Sequence, residues 1–543
     1  MHSSLVIGLE TADSGGRRIV PPYRSHGGRA PFGGVNPSVA VPGGAQRRAC
    51  AHCDGLVRLW NAHQSGYFRE VLSPSRTPRA KIVCTLGPAT PTDAQVGHLL
   101  DAGMNVVRIN FSHGTHADHR DAIGRVRRAA AARGLPVAIL GDLQGPRIRI
   151  GSLAAPVFVE TGGDLVLAPE GRGAADDVPV TYGALAADVH AGDRILVDDG
   201  LIELMVLDVV GPRVFVRAVH GGLVRSHKGM NLPGIQVSAP SITEKDRTDV
   251  AFAIDEELDY VALSFVRRAE DLAELRAMLP PWLLVIAKIE KDVALEAIES
   301  IIGASDGVMV ARGDLGVELP FEAVPLAQKR IIRLANALGR PVITATQMLE
   351  SMVEHARPTR AEASDVANAI LDGTDAVMLS AETAVGAFPR LAVEAMRRII
   401  CEVESHPLPG RSFVEPEDRR RVNVATEEAI AAATVAAARM MGTPLVIVLT
   451  KSGFSARIIA SRRPGVPVLA LTDSPRTYRQ LALVWGVIPH LVPHCDSYAQ
   501  MVSLALGASR ERGLARPGDR VLVTAGVPFD VPGTTNLLKV EIA

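Results

Sequence analysis

Cysteine is scarce in this chain: five residues in 543, scattered as Cys50, Cys53, Cys84, Cys401 and Cys495. That excludes a disulfide scaffold and fits a reducing, cytoplasmic setting. An excess of either charge is also missing. The formal net charge is -1, which excludes the basic surplus typical of nucleic-acid and membrane-surface proteins. Any anionic ligand must be caught by local charges. No apolar stretch is long enough to span a bilayer, and the N-terminus has no secretory h-region. What is plentiful is apolar sequence, 47% of the residues. The length holds roughly three to four domains.

Residues 1–77 are rich in Gly, Pro and Arg and poor in apolar periodicity, as in Gly27-Gly28-Arg29-Ala30-Pro31-Phe32-Gly33-Gly34. Such composition cannot offset the entropy of ordering. A disordered extension, a transit peptide and a non-native upstream start compete, and the Gly and Pro content favours the first or the last. Cys50-Ala51-His52-Cys53 is a lone C-x-x-C with only His63 nearby. Zinc needs a second ligand pair, so the reading is two exposed thiols.

From Lys81 the pattern becomes strand, loop and helix in turn. Strands are expected at Lys81–Thr85, Asn105–Ile109 and Val137–Leu140. At 152–235 it gives way to β-rich runs, Arg194–Val197, Ile202–Val210 and Arg213–Val219, parted by turn signals such as Asp198-Asp199-Gly200 and Gly211-Pro212. The βα pattern then resumes with strands at Tyr260–Leu263, Leu284–Ala287, Gly307–Val310, Val342–Ala345 and Ala376–Leu379. Eight βα units make a (β/α)8 TIM barrel, here residues 78–151 and 236–405, with a small all-β barrel domain inserted at 152–235. A linker rich in charge and Pro leads to a C-terminal open α/β domain, 422–543. The whole is an α/β protein.

A TIM barrel keeps its active site at the C-terminal ends of its strands. The polar residues expected there are Arg108, Asn110 and Ser112, then Asp142, Lys288, Glu290, Asp314, Thr346 and Glu382. Carboxylates beside a lysine suit a hard dication and a phosphorylated ligand. A surface salt-bridge cluster is the bland alternative, disfavoured because charges abutting buried strands need a reason. Glu290 and Asp314 would hold Mg²⁺ or Mn²⁺. Arg108 and Lys288 would neutralise a transferring phosphoryl group. The amides around Gly313 and Asp314 could cradle a carboxylate. Thr346 is either a proton-relaying hydroxyl or a helix N-cap.

From about Arg79 onward the chain resembles the pyruvate kinases. The resemblance is carried by ordered stretches: Lys81-Ile82-Val83-Cys84-Thr85-Leu86-Gly87-Pro88-Ala89, Asn105-Val106-Val107-Arg108-Ile109-Asn110-Phe111-Ser112-His113-Gly114 and Gly145-Pro146-Arg147-Ile148-Arg149. Val197-Asp198-Asp199-Gly200, Lys228-Gly229-Met230-Asn231-Leu232-Pro233-Gly234 and Ala287-Lys288-Ile289-Glu290 follow. Then come Met309–Glu318, Thr344–Met352 and Pro358-Thr359-Arg360-Ala361-Glu362.

The resemblance implies transfer of the phosphoryl group of phosphoenolpyruvate to ADP, the last step of glycolysis, in a cytoplasmic homotetramer. It implies that Arg108 binds the phosphoryl group, that Lys288 stabilises it in transfer, and that Glu290 and Asp314 bind Mg²⁺. Gly313, Asp314 and Thr346 would contact the substrate, with Thr346 near the enolate that is protonated. Asn110, His113, Arg149 and Lys228 would contact the nucleotide, Lys228 from a closing lid.

The family's monovalent-cation site matches Asn110, Ser112, Asp142 and the carbonyl of Leu143. Arg147 stands where K⁺-dependent members carry an acid, and a guanidinium can replace K⁺ charge. Weak or absent K⁺ dependence is therefore expected. The loop Thr450-Lys451-Ser452-Gly453-Phe454-Ser455 joins a strand to a helix and suits phosphate, against a reading as ordinary capping by Ser452 or Ser455. In the family it receives a phosphorylated allosteric effector. The Asp142-Leu143-Gln144 variant resembles the branch answering to sugar monophosphates or AMP. Two rivals remain, a Mg²⁺-dependent lyase or aldolase barrel and a degenerate metabolite sensor. The first needs neither the lid nor Lys228, and the second predicts loss of Lys288, Glu290 or Asp314, all present.

Overall fold

The computed structural model describes residues 77–235, 237–406, 424–495, 497–527 and 535–543. The expectations for residues 1–77, including the Cys50–Cys53 thiols, thus fall outside the described residues but for the last one. Eight parallel strands close a barrel: β1 (Lys81–Thr85), β2 (Val106–Asn110), β3 (Ala138–Asp142), β4 (Tyr260–Leu263), β5 (Leu284–Ile289), β6 (Gly307–Ala311), β7 (Val342–Ala345) and β8 (Ala376–Leu379). These are the eight expected strands, with β2, β3, β5 and β6 running one or two residues further towards the rim. Their apolar runs are buried on both faces because helices cover the outside and side chains fill the inside.

Local signals set the helices. Thr92, Thr115, Thr243 and Thr359 each accept from the backbone three residues on and close capping boxes. The Thr359–Glu362 box starts the helix Arg360–Asp372, and Gly373, at φ +105°, ends it in a left-handed turn.

Inside the barrel, Val83, Leu140, Tyr260, Ile286, Met309 and Ile343 pack with Leu483 and Ala482 from the C-terminal domain. That segment lies under the strands' N-terminal ends. Tyr260 Oη donates to Gln480 O at 2.7 Å, and Lys81 Nζ donates to Val487 O at 2.8 Å. Arg463 locks the same junction, donating to Asp375 Oδ1 at 3.0 Å and stacking on Trp485. The C-terminal domain thus covers the barrel's N-terminal end, which leaves the C-terminal rim as the barrel's open end.

The insert between β3 and β4 has its own apolar core. A six-stranded sheet and a two-stranded ribbon build it. Very short strands, such as Val178–Val180 and Met230–Asn231, join the three runs read from sequence. The C-terminal domain is a five-stranded sheet with helices. Val487–Leu491, Val468–Thr472, Val446–Leu449 and Arg520–Ala525 run parallel, and Leu537–Ile542 closes one edge antiparallel. Among the described residues no helix is long and apolar enough to cross a membrane.

Candidate active site

β2, β3 and β5 carry Arg108, Asp142 and Lys288 at or near their C-terminal ends, and packing brings the three together. Asp142 is 1% exposed. Its Oδ2 accepts from Arg108 Nε at 2.6 Å, and Lys288 Nζ stands 3.2 Å from its Oδ1 as an ion pair without hydrogen-bond alignment. Burial opposes a charge on Asp142, yet Lys288 and Arg108 outweigh it and hold the carboxyl below its ordinary value. Burial likewise opposes the Lys288 ammonium, and Asp142 and Glu290 overcome it and raise its pKa. Both groups stay charged where an isolated charge could not persist.

Two further contacts aim the cations. Arg108 Nη1 donates to Thr85 Oγ1 at 3.1 Å. Lys288 Nζ donates to Ser264 Oγ at 2.7 Å and lies 2.9 Å from Glu290 Oε1. Ser264 in turn donates to Leu143 O at 2.7 Å. Ser264 and Thr85 were missed in the sequence. They follow β4 and end β1, the two strands to which no rim residue had been given, and that gap was the available signal.

Glu290, 1% exposed, accepts from Phe265 N at 2.6 Å. Asp314 opens onto the same cavity from the helix Arg312–Glu318. Its carboxyl is pushed up to about 7, first by burial and then by the charge of Glu290. A carboxyl whose ionisation a neighbouring carboxylate opposes fits a cation between the two. No group of three or more His, Cys, Asp or Glu is placed to hold a metal among the described residues. Two carboxylates leave the other positions to water and ligand oxygens, which suits Mg²⁺.

The cavity has a volume of about 330 Å³. Arg108, Lys288, Glu290 and Asp314 line it with Asn110, Ser112, Arg147 and Arg149. Asp199 and Asn231 reach it from the inserted domain. Asn231 Nδ2 donates to Glu318 Oε1 at 2.9 Å, and Lys291 Nζ meets the same oxygen at 2.5 Å, tying insert to barrel. Other expected residues are placed differently. Lys228 is on the insert but off the cavity wall, its ammonium 2.8 Å from Asp198 Oδ1. His113 is exposed, and desolvation with the charges of Arg147, Arg149 and Arg108 holds its imidazole below the usual pKa. The Gly313 amide is already engaged, donating to Thr346 Oγ1 at 2.7 Å. Thr346 caps no helix; it sits at φ +67°, a conformation costing on the order of 1–3 kcal/mol.

The four groups matched to a monovalent-cation site are also spoken for. Arg147 Nη2 donates to Ser112 Oγ at 2.7 Å, and the amide of Ser112 donates to Asn110 Oδ1 at 3.1 Å. Leu143 O takes Ser264, and Asp142 takes Arg108. The Thr450–Ser455 loop belongs to the C-terminal domain and does not line the cavity. Thr450 Oγ1 accepts from Gly453 N at 2.9 Å, Ser455 Oγ shares a hydrogen with Thr535 Oγ1, and Lys451 pairs with Asp473.

Residues 77–393 match the family model described as pyruvate kinase, barrel domain, and residues 428–541 match pyruvate kinase, alpha/beta domain. A pyruvate kinase of Geobacillus stearothermophilus is 44% identical over 472 residues, covering 86% of this chain and 80% of the relative. One of Mycobacterium intracellulare is 45% identical over 470 residues, 85% of this chain and 98% of the relative. Among solved structures, a pyruvate kinase from Cryptosporidium parvum superposes with a TM-score of 0.80 at 36% identity, covering 86% of this chain and 96% of that one.

The Asp314 carboxyl yields a prediction free of activity. With a folded pKa near 7 against 3.8 unfolded, it binds an extra proton in the native state between those values. Stability of the ion-free protein should therefore fall as pH rises through that window. Asp314→Asn should flatten the fall in melting temperature between about pH 5 and pH 8. Identical pH dependence in both proteins would refute the assignment.

Proposed function

The chain belongs to the pyruvate kinase family, phosphotransferases that move the phosphoryl group of phosphoenolpyruvate to ADP, and from that premise we propose how its own rim carries out the transfer. Arg108 and Lys288 supply the positive charge that a phosphoryl group needs in flight. Their geometry is fixed beforehand by Asp142, Thr85 and Ser264, so little reorganisation accompanies the reaction. Glu290 and Asp314 would hold Mg²⁺ or Mn²⁺, which when bound offsets charge on phosphoryl and enolate oxygens. Thr346, beside Gly313, serves the enolate face and relays a proton through water to the carbon that becomes the methyl group. Arg149, Asn110 and His113 face the nucleotide, His113 as a neutral ring. Lys228 joins them as the insert closes and excludes water.

The observation that carries this reading is the buried Arg108–Asp142–Lys288 cluster on the cavity wall. Lys288→Met should lower turnover by at least about a thousandfold, while a Mg²⁺-induced shift in melting temperature persists. Pyruvate formation, coupled to lactate dehydrogenase, should require ADP. Near-normal turnover in the variant would remove the role of Lys288, and ADP-independent pyruvate would favour a lyase.

Arg147 takes the part of K⁺ in this reading. Its guanidinium is bonded to Ser112 and feels Asp314, Asp142 and Glu290, so a fixed charge stands among the would-be ligands of a mobile one. In a K⁺-free, tetramethylammonium-buffered assay, turnover should stay within about threefold of its value with K⁺. A drop of about tenfold or more would overturn this.

The Thr450–Ser455 loop is the proposed effector site, for a phosphorylated metabolite such as a sugar monophosphate. Its hydroxyls and the start of the helix Phe454–Ser461 suit a phosphate. Ribose 5-phosphate, titrated at subsaturating phosphoenolpyruvate, should activate. Absence of activation would count against that effector class.

A further inference from the structure

Thr346 and Gln347 follow β7 at φ +67° and +53°. A β-branched residue in the left-handed region is a strained one, and surrounding structure must hold it there. One guanidinium does so. Arg312 Nη2 donates to Thr346 O at 2.7 Å, and its Nε donates to Ala345 O at 3.3 Å. Its Nη1 donates at 2.7 Å to Asp365 Oδ1, on the helix Arg360–Asp372. The Arg312 side chain is 11% exposed, and a planar fork with donors on several edges can bind both carbonyls and the carboxylate at once.

The same residue begins the helix that carries Gly313 and Asp314. Gly313 N donates to Thr346 Oγ1, and that hydroxyl donates to Ala345 O at 2.6 Å. Arg312 therefore fixes the backbone that aims the hydroxyl and precedes the amide that touches it.

We propose that Arg312, anchored by Asp365, is a positioning residue for Thr346 and sets the proton-transfer half of the reaction. This rests on the relay reading of Thr346 given above. In that half-reaction one C–H bond forms at the enolate carbon, and the proton given up is replaced from water. Arg312 acts through Thr346 and is not among the residues that line the cavity.

Exchange of the pyruvate methyl hydrogens with D₂O reads this half-reaction apart from phosphoryl transfer. It is followed by NMR on the full chain with ATP and Mg²⁺. Arg312→Lys and Asp365→Asn should each slow exchange and kcat by about tenfold or more, while KM for phosphoenolpyruvate moves by less than about threefold. Guanidinium ion added to Arg312→Ala should restore part of the exchange. Exchange within about twofold of the unmodified chain in folded Arg312→Lys or Asp365→Asn, with Thr346→Val slow, overturns the proposal and leaves the role of Thr346 standing. Normal exchange in Thr346→Val removes both. Should Arg312→Lys fail to fold, Asp365→Asn, altered at a partly exposed side chain, decides alone.

Discussion

Asp142 is the constraint on which the rim depends. A carboxylate 1% exposed would be driven neutral by its surroundings. It stays ionised because Arg108 and Lys288 are held against it, and they stay where they are because it is ionised. Losing one partner of a buried pair costs about 3–5 kcal/mol. The cluster is thus expensive as a stabilising device, since apolar side chains of like volume would serve as well or better. Its value is directional. Two cations are placed at the mouth of a barrel by bonds to Asp142, Thr85 and Ser264, ready for a ligand of opposite charge.

The rest of the molecule serves that mouth from both ends. Below, residues of the C-terminal domain fill the barrel and bond the starts of β1 and β4. Above, the insert presses Asn231 onto Glu318, an oxygen already shared with Lys291, the neighbour of Glu290. The position of the insert and the placing of Glu290 are thereby joined through a single carboxylate. The 330 Å³ cavity left between them is where low dielectric strengthens each charge.

Much of this is legible in the sequence alone. Runs buried on both faces read as barrel strands, so Arg108, Asp142, Lys288, Glu290 and Asp314 could be put on one rim from their positions after those runs. The Thr359–Glu362 capping box and the glycine after Asp372 are sequence signals for the two ends of one helix. Strands of two or three residues in the insert were not legible, because alternation needs more length than Met230–Asn231 offers. Ser264 and Arg312 were hidden for another reason. A side chain that acts by bonding another side chain leaves no periodic trace, and its partner is set by topology. The left-handed turn at Thr346 was hidden as well, since neither Thr nor Gln announces positive φ as Gly would. The resemblance named the roles of the ligand-facing residues and was silent on what holds them.

The covered floor also bears on how the chain is made. β1 leaves the ribosome before the other seven barrel strands, and Lys81 at its start bonds Val487, which emerges long after β8. Until then the ring of eight strands has an open apolar base. Contacts so far apart in sequence are slow to close, and uncovered apolar surface invites association with other chains. The C-terminal domain is therefore more than an appendage that carries a loop. It is the cover of the barrel's base, and it is made after all eight strands that it covers.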